Sequence, residues 1–321
     1  MSTSLPEMLQ ALSYQATVPR QFVHRQSVSE VFLTDSVPTS GSGRFLLGAQ
    51  WPRLHAFYRT GTQRYDTMIL AETARQCAIY LAHRYYRVPL DRKFTMQSMT
   101  VNADLASLTI GPAAAEVVLR AHVTEHHRRN GRLTAFTVDI EFLLGAAPVG
   151  TARATANVLT SGEYETARWP GDRAKSVGGI PRPEPVPTPA VGAPDDSSVT
   201  LGRHPGGQGA GRWQLRVDTS HPVLFDHPCD HVPGAFVLEA ARQVARLRLG
   251  WPCGDVESIS IRFRRFLELD EPTTVTAALD CEIGGVTVTF DQWGIEKSSG
   301  TIRLAPPREA ADQIEVEVQR A

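Results

Sequence analysis

The stretch LAETARQ at residues 70–76 returns, little altered, as VLEAARQ at 237–243. Each copy lies in a long apolar run, TMILAETARQCAIYLAHRYY (67–86) and VPGAFVLEAARQVARLRLG (232–250), of the kind that forms a buried helix. In both, a Glu, an Arg and a Gln stand at i, i+3 and i+4. Glu72, Arg75 and Gln76 therefore share one helix face, and Glu239, Arg242 and Gln243 share the corresponding face of the other. A charge inside a core is costly unless it is paired or neutralised. Its recurrence at the same place in two helices indicates a duplicated domain with chemistry on its central helix.

Length and charge agree with duplication. A chain of 321 residues accommodates about two domains of ordinary size. With 33 basic against 34 acidic residues and a net charge of −1, it lacks the electrostatic footprint of a nucleic-acid binder. Cys77, Cys229, Cys253 and Cys281 form no CxxC pair and no metal-finger spacing, and a chain of this size needs no disulfide framework, which fits a reducing compartment. The N-terminal MSTSLPEMLQALSYQATVPRQF lacks a basic start followed by an apolar core. No run elsewhere reaches the roughly 18 uncharged apolar residues of a membrane span. A cytoplasmic protein without membrane attachment is expected.

Residues 163–212 are dense in Pro, Gly, Ser and Asp and have no apolar period, so they read as a linker between a first domain, 1–162, and a second, 213–321. In the first, QFVHRQSVSEVFLTDSV (21–37) and GRFLLGAQWP (43–52) read as extended. A helix follows with Asp66 as N-cap and Pro89 as its stop. Strands are then expected over 94–105, 115–127, 133–144 and 150–160, the middle two joined by a hairpin at Asn130-Gly131. The second repeats the plan: RWQLRVD (212–218), the loop SHPVLFDHPCDH (220–231), a helix with Pro233 in its first turn and Gly250 as its C-cap, then strands within 256–269, 273–283, 285–293 and 300–305, with a turn at Gly284-Gly285. A long apolar helix followed by an antiparallel sheet able to wrap it resembles the hotdog fold. The expected class is α+β, a double hotdog.

The Glu/Arg/Gln sets admit two readings: an intrahelical ion pair that neutralises itself, or a carboxylate of shifted pKa acting as general acid or base. The loop FDHPCDHVPG packs His227, Cys229, Asp230 and His231 into five residues, which admits a solvated loop, a metal site or a thiol nucleophile. The spacing H-x-C-D-H fits no standard zinc pattern, and nothing marks Cys229 as a thiolate. HHRR (126–129) reads as a solvated hairpin tip or a contact for an acidic carrier protein, and Arg264 and Arg265 of FRRF (263–266) as surface charge on opposite faces of a strand.

The run FDHP…HVPGAFVLEAARQ resembles the active-site segment of the hotdog β-hydroxyacyl-carrier-protein dehydratases, where a loop His precedes a Pro-Gly helix start and an acid. The resemblance implies His227 for that His and Glu239 for the acid. A more particular similarity covers both halves. VHRQSVSEVFLTD, WPRLHAFY, DTMILAETARQ and HPVLFDHPCDHVPGAFVLEAARQ, in that order, resemble the A-factor synthase family of γ-butyrolactone and butenolide signal biosynthesis. That family's activity implies transfer of a β-ketoacyl group from an acyl carrier protein thioester, or an acyl-CoA, to the hydroxyl of dihydroxyacetone phosphate, followed by closure to a butenolide phosphate. No metal or redox cofactor is implied.

Carried across a tandem pair, the resemblance sets His227 of the second half against Glu72 of the first, with Arg242 from across the interface; these are the expected catalytic residues. The opposite combination sets Glu239 against HAFY (55–58), where Phe57 or Tyr58 stands nearest the His position and His55 lies close. Arg242 or Arg75 is the expected phosphate ligand, the amides near Gly234 are expected to hold the oxyanion, and Arg75, Gln76, Glu239 and Gln243 are expected at the substrate. The alkyl chain is expected along a groove between the two helices. A thioesterase or dehydratase, and a non-catalytic acyl-chain binder, remain open, as does a homodimer formed through the sheets.

Overall fold

The computed structural model describes residues 11–59, 63–169, 179–206 and 211–306. Among the described residues twelve strands form one antiparallel sheet in the order β1-β2-β4-β5-β6-β3-β9-β12-β11-β10-β8-β7. In the first half these are β1 (Leu33–Pro38), β2 (Arg44–Trp51), β3 (Lys93–Ala103), β4 (Ala115–Arg129), β5 (Arg132–Leu144) and β6 (Ala147–Leu159). The second half supplies β7 (Leu201–Gly202), β8 (Arg212–Leu215), β9 (Val256–Phe263), β10 (Thr274–Asp280), β11 (Gly285–Gln292) and β12 (Ile295–Leu304). The order is palindromic: β3 matches β9, β6 matches β12, β5 matches β11, and the two edges end in β1 and β7. The halves join where β3 pairs with β9, from Ser98↔Arg262 to Asn102↔Ser258, with the Thr100 and Ser260 hydroxyls 2.8 Å apart.

Three helices matter for the site: α1 (Thr67–Arg84), α2 (Ser161–Arg168) and α3 (Gly234–Leu249). Helix α1 packs on β3, β5 and β6, α3 packs on β9 to β12, and the two helices touch. Within α1 only Arg75 and Arg84 escape burial, as a helix apolar on nearly all sides requires. Asp66 caps it, accepting from the Met68 amide at 2.9 Å. One apolar core runs through both halves, from Val18 to Leu304, and a smaller cluster of Leu12, Leu46, Val118 and Leu143 lies apart from it.

Several boundaries differ from the sequence reading. The segment 21–37 is extended only from Leu33; before it lie two 3₁₀ turns, Arg20–Val23 and Val28–Glu30, which bend the chain against α1. Helix α1 ends at Arg84, before Pro89, and Pro233 occupies the N-cap of α3 rather than its first turn. The stretch 163–212 is not all linker: α2 extends to Arg168, and Val186, Val191, Val199 and Leu201 are buried in the core. Their wide spacing among Pro and Gly hides them from any periodic reading. The expected hairpin at Asn130-Gly131 is present with both residues at positive φ, 50° and 75°, and a second two-residue turn at Trp293-Gly294 (58° and 71°) joins β11 to β12.

Gly300 sits opposite Ile261 in the β9–β12 pair, and a Cβ there would come within 1.9 Å of the Ser260 carbonyl oxygen. Gly300→Ala is expected to force these strands apart and cost about 1–3 kcal/mol, read as a fall in the thermal midpoint.

Candidate functional site

Glu72 is 3% exposed. Its Oε1 accepts from Arg25 Nε (3.0 Å), Arg75 Nη2 (2.8 Å) and Gln76 Nε2 (2.7 Å). Its Oε2 takes Arg75 Nε at 2.9 Å and Arg25 Nη2 at 2.7 Å. Burial alone would raise this carboxyl, but Arg25 and then Arg75 outweigh it and hold the group down at about 2. Of the two readings of this set, the geometry matches the ion pair, joined by a second guanidinium: Glu72 is a hub whose oxygens already accept from Arg25, Arg75 and Gln76. Gln76 ties the helix to the preceding segment, accepting from the Phe32 amide at 2.9 Å and donating to the Glu30 carbonyl at 2.7 Å.

The second set repeats part of this arrangement. Gln243 accepts from the Thr200 amide (2.9 Å) and donates to the Ser198 carbonyl (2.8 Å) and to Glu239 (2.7 Å). The ion pairing is inverted, however. In the first set one carboxylate lies between two guanidinium groups; in the second, Arg242 lies between Glu239, at 2.7 Å, and Asp66. Arg242 is 5% exposed and committed to these acids, so it does not join Glu72 and His227 as the cross-interface reading expected. Asp66, the N-cap of the opposite helix, holds it.

A cavity of about 610 Å³ opens on the first set. Its charged and polar wall includes Arg25, Arg75, His227, His231 and Arg265, and the N-terminus of α3 at Gly234 and Ala235 faces it. Ile79, Phe94, Met96, Val237 and Phe263 give it an apolar side. No side chain caps α3, in contrast to α1. Arg75 donates through Nε and Nη2 to Glu72 and to the Val23 carbonyl, which leaves Nη1 without a partner among the described residues. The space between α1 and α3, lined by Phe57, Tyr58, Glu72, Arg75, Leu238 and Glu239, holds only about 10 Å³, room for about one water. That space has no room for the expected alkyl chain, whereas the large cavity, lined by Ala78 and Ile79 of α1 and Val237 of α3, offers it an apolar surface between the helices.

The loop before α3 carries two neighbouring Asp–His pairs. His227 Nδ1 lies 3.6 Å from Asp226, whose carboxylate accepts from the Gln26 (2.6 Å) and Ser27 (3.1 Å) amides of the first half. Burial, then Arg75, lowers the His227 pKa from its ordinary value, which favours the neutral ring. His231 Nδ1 lies 2.7 Å from Asp230, which also accepts from the Tyr164 hydroxyl of α2 at 2.7 Å. With Arg25 Nη1 donating to the Val223 carbonyl at 3.0 Å, these contacts fasten the loop to the first half and to α2. Burial and then Asp230 push the Cys229 thiol up to about 11, the opposite of an activated nucleophile. Among the described residues no group of three or more His, Cys, Asp and Glu is arranged to hold a metal ion.

The description "A-factor biosynthesis hotdog domain" matches residues 9–160 and 177–289. The chain belongs to this A-factor biosynthesis hotdog family. It is 34% identical over 266 residues to a 2-oxo-3-(phosphooxy)propyl 3-oxoalkanoate synthase of Streptomyces virginiae, covering 82% of this chain and 87% of that protein. A synthase of the same name from Streptomyces coelicolor is 34% identical over 264 residues, covering 82% of each. Among solved structures, an acyl-ACP thioesterase of Bacteroides thetaiotaomicron is similar in fold, with a TM-score of 0.53 at 10% identity over 81% of this chain and 98% of that one.

In this A-factor hotdog chain three features escaped the sequence reading. Arg25 sits inside the VHRQ motif, which reads as strand, yet it is the second guanidinium on Glu72. His55 and His221 are structural counterparts, each accepting two backbone amides on Nδ1: from Phe57 and Tyr58 at 3.1 and 3.0 Å, and from Val223 and Leu224 at 3.2 and 3.1 Å. Of the residues expected opposite Glu239, Phe57 and Tyr58 are buried and stack with one another and, for Tyr58, with His55. Arg264 and Arg265 follow the end of β9, and both line the cavity rather than pointing to opposite faces of a strand. Arg264 pairs with Glu296 at 2.7 Å, while Arg265 has no ion pair among the described residues.

Proposed function

We propose that this protein transfers a 3-oxoacyl group from a thioester to the free hydroxyl of dihydroxyacetone phosphate. The product is a 2-oxo-3-(phosphooxy)propyl 3-oxoalkanoate, the ester in the names of its relatives. A butenolide phosphate then follows when the ester closes by intramolecular aldol condensation. The donor is carried on an acyl carrier protein, with acyl-CoA as the simpler analogue, and the reaction belongs in the cytoplasm.

One observation carries the reading. Glu72 is shared by two guanidinium groups, and Arg75 is open to the cavity that His227 also lines. A phosphate monoester suits that end, because a guanidinium donates to phosphate oxygens in charge-assisted pairs. Hydrolysis of an acyl thioester has no need of it.

The chemistry follows from placement. With the phosphate on Arg75, the acceptor hydroxyl is directed to His227, which takes its proton as the oxygen attacks the thioester carbonyl. The carbonyl oxygen gains negative charge toward the uncapped amides of α3 at Gly234 and Ala235. The tetrahedral intermediate collapses with loss of the C–S bond, and the proton on His227 passes to the departing thiolate. The new C–O bond replaces the C–S bond and no electrons are exchanged with a cofactor. Glu72 and Gln76 position Arg75. Glu239, Arg242 and Gln243 hold the second helix in register, with the phosphate ligation once expected of Arg242 left to Arg75.

Arg75→Gln is expected to raise the KM for dihydroxyacetone phosphate about ten- to hundredfold, the worth of one charge-assisted hydrogen bond. The KM for the thioester should stay near its original value. Steady-state kinetics with each substrate varied in turn checks this, and an unchanged acceptor KM would remove Arg75 from the phosphate site.

A further inference from the structure

Outside the cavity, a cleft of about 350 Å³ lies between the β4–β5 hairpin, the turn after α1 and the start of α2. Four of its lining side chains are Arg87, Arg92, Arg129 and Arg132, against the single acid Glu163. Arg129 pairs with Glu163, whereas Arg87 and Arg132 are exposed and have no ion pair among the described residues. Arg87 adopts φ 54°, a left-handed conformation that a residue with a side chain rarely takes without local cause. Next to the floor at Pro89, Leu90 is 46% exposed. In a chain whose net charge is −1, this concentration of one sign is local.

The cleft adjoins the cavity through β6 and α2. Asn157 and Leu159 line the cavity, while Val158 and Thr160 line the cleft. Helix α2 has Glu163 at the cleft and Ala167 and Arg168 at the cavity, four and five residues on, so about 6–8 Å of helix separates them.

We propose that this cleft docks the protein that carries the acyl donor: an acidic helical carrier whose flexible thioester arm enters the cavity past α2. The inference rests on the proposed function for the identity of the donor and adds where its carrier binds. Arg87 and Arg132 meet carboxylates on the carrier, and Leu90 offers an apolar contact at the edge. The charges act on encounter and orientation, which makes the interaction sensitive to salt.

The test pairs a binding measurement with a kinetic one. Fluorescently labelled holo acyl carrier protein is titrated with wild-type protein and with the double variant Arg87→Glu/Arg132→Glu at low and at physiological ionic strength. The Kd is expected to rise at least tenfold in the variant and to rise with salt in the wild type. Turnover of the same acyl group on N-acetylcysteamine should be the same for both proteins, since neither Arg lines the cavity. An unchanged Kd, or wild-type binding indifferent to salt, overturns the proposal. Heparin binding as tight as the carrier's would reveal a general polyanion patch and also overturn it. Because binding is read without turnover, failure of the proposed reaction would be seen separately, as absent turnover with the carrier still bound.

Discussion

Replacing Glu72 by Ala is expected to lower folding stability by about 3–5 kcal/mol, because it leaves Arg25 and Arg75 charged, largely buried and without their shared carboxylate. Glu239→Ala is expected to cost less, about 1–3 kcal/mol, since Arg242 keeps Asp66. Urea unfolding of both variants measures the difference, and equal losses would contradict the inverted pairing of the two sets. The same hub sets a pH dependence. Glu72 has a folded pKa of about 2 against an ordinary 4.5, so the stability it contributes is full above 4.5 and is lost as the pH falls toward 2. In Glu72→Ala the acid limb of the stability curve should be flatter than in the wild type.

The second large effect is on rate. His227→Ala is expected to reduce kcat by about 10²–10⁴, the usual worth of a positioned general base, with little change in the acceptor KM. A base must be unprotonated to act, and burial and Arg75 lower the His227 pKa below its ordinary 6.5. The acid limb of kcat/KM therefore belongs below pH 6.5, and the variant should lack it. His231 sets a comparison: its Nδ1 is already taken by Asp230, which is tied to Tyr164. Loss of the acid limb in His231→Ala, and its retention in His227→Ala, would move the base to His231.

Much of the architecture was legible because it rests on local signals. Apolar runs carrying the Glu/Arg/Gln sets, Asp66 before the first and Gly250 after the second, and Asn130-Gly131 between alternating strands each state their structure within a few residues. The site was legible only in part. Glu72 and Gln76 announce themselves as polar residues on a buried helix, but Arg25 lies 47 residues away in the chain from Glu72, and Asp66 176 residues from Arg242. Sequence spacing carries no information on such pairings. That is why Glu72 read as a general acid or base when it is an anchored anion, and why Arg242 read as a catalytic residue and phosphate ligand when Asp66 holds it in the core. The closed space at Phe57, Tyr58 and Leu238 was hidden for a related reason: the sizes of these residues are visible in sequence, but their convergence is not.

The two central helices thus carry the same three residue types in opposite electrostatic settings. One set holds a guanidinium open to a cavity; the other encloses its guanidinium between two acids. A substrate bearing a phosphate distinguishes them, and the assignment of acceptor rests on that difference.

The most direct measurement incubates the purified protein with a medium-chain 3-oxoacyl carrier-protein thioester, with and without dihydroxyacetone phosphate, and follows thiol release and product mass together. The account predicts release that depends on the acceptor and a phosphorylated ester or butenolide as product, with the acceptor dependence weakened in Arg75→Gln. Equal release without the acceptor, yielding free 3-oxo acid, would contradict it and make the protein a thioesterase.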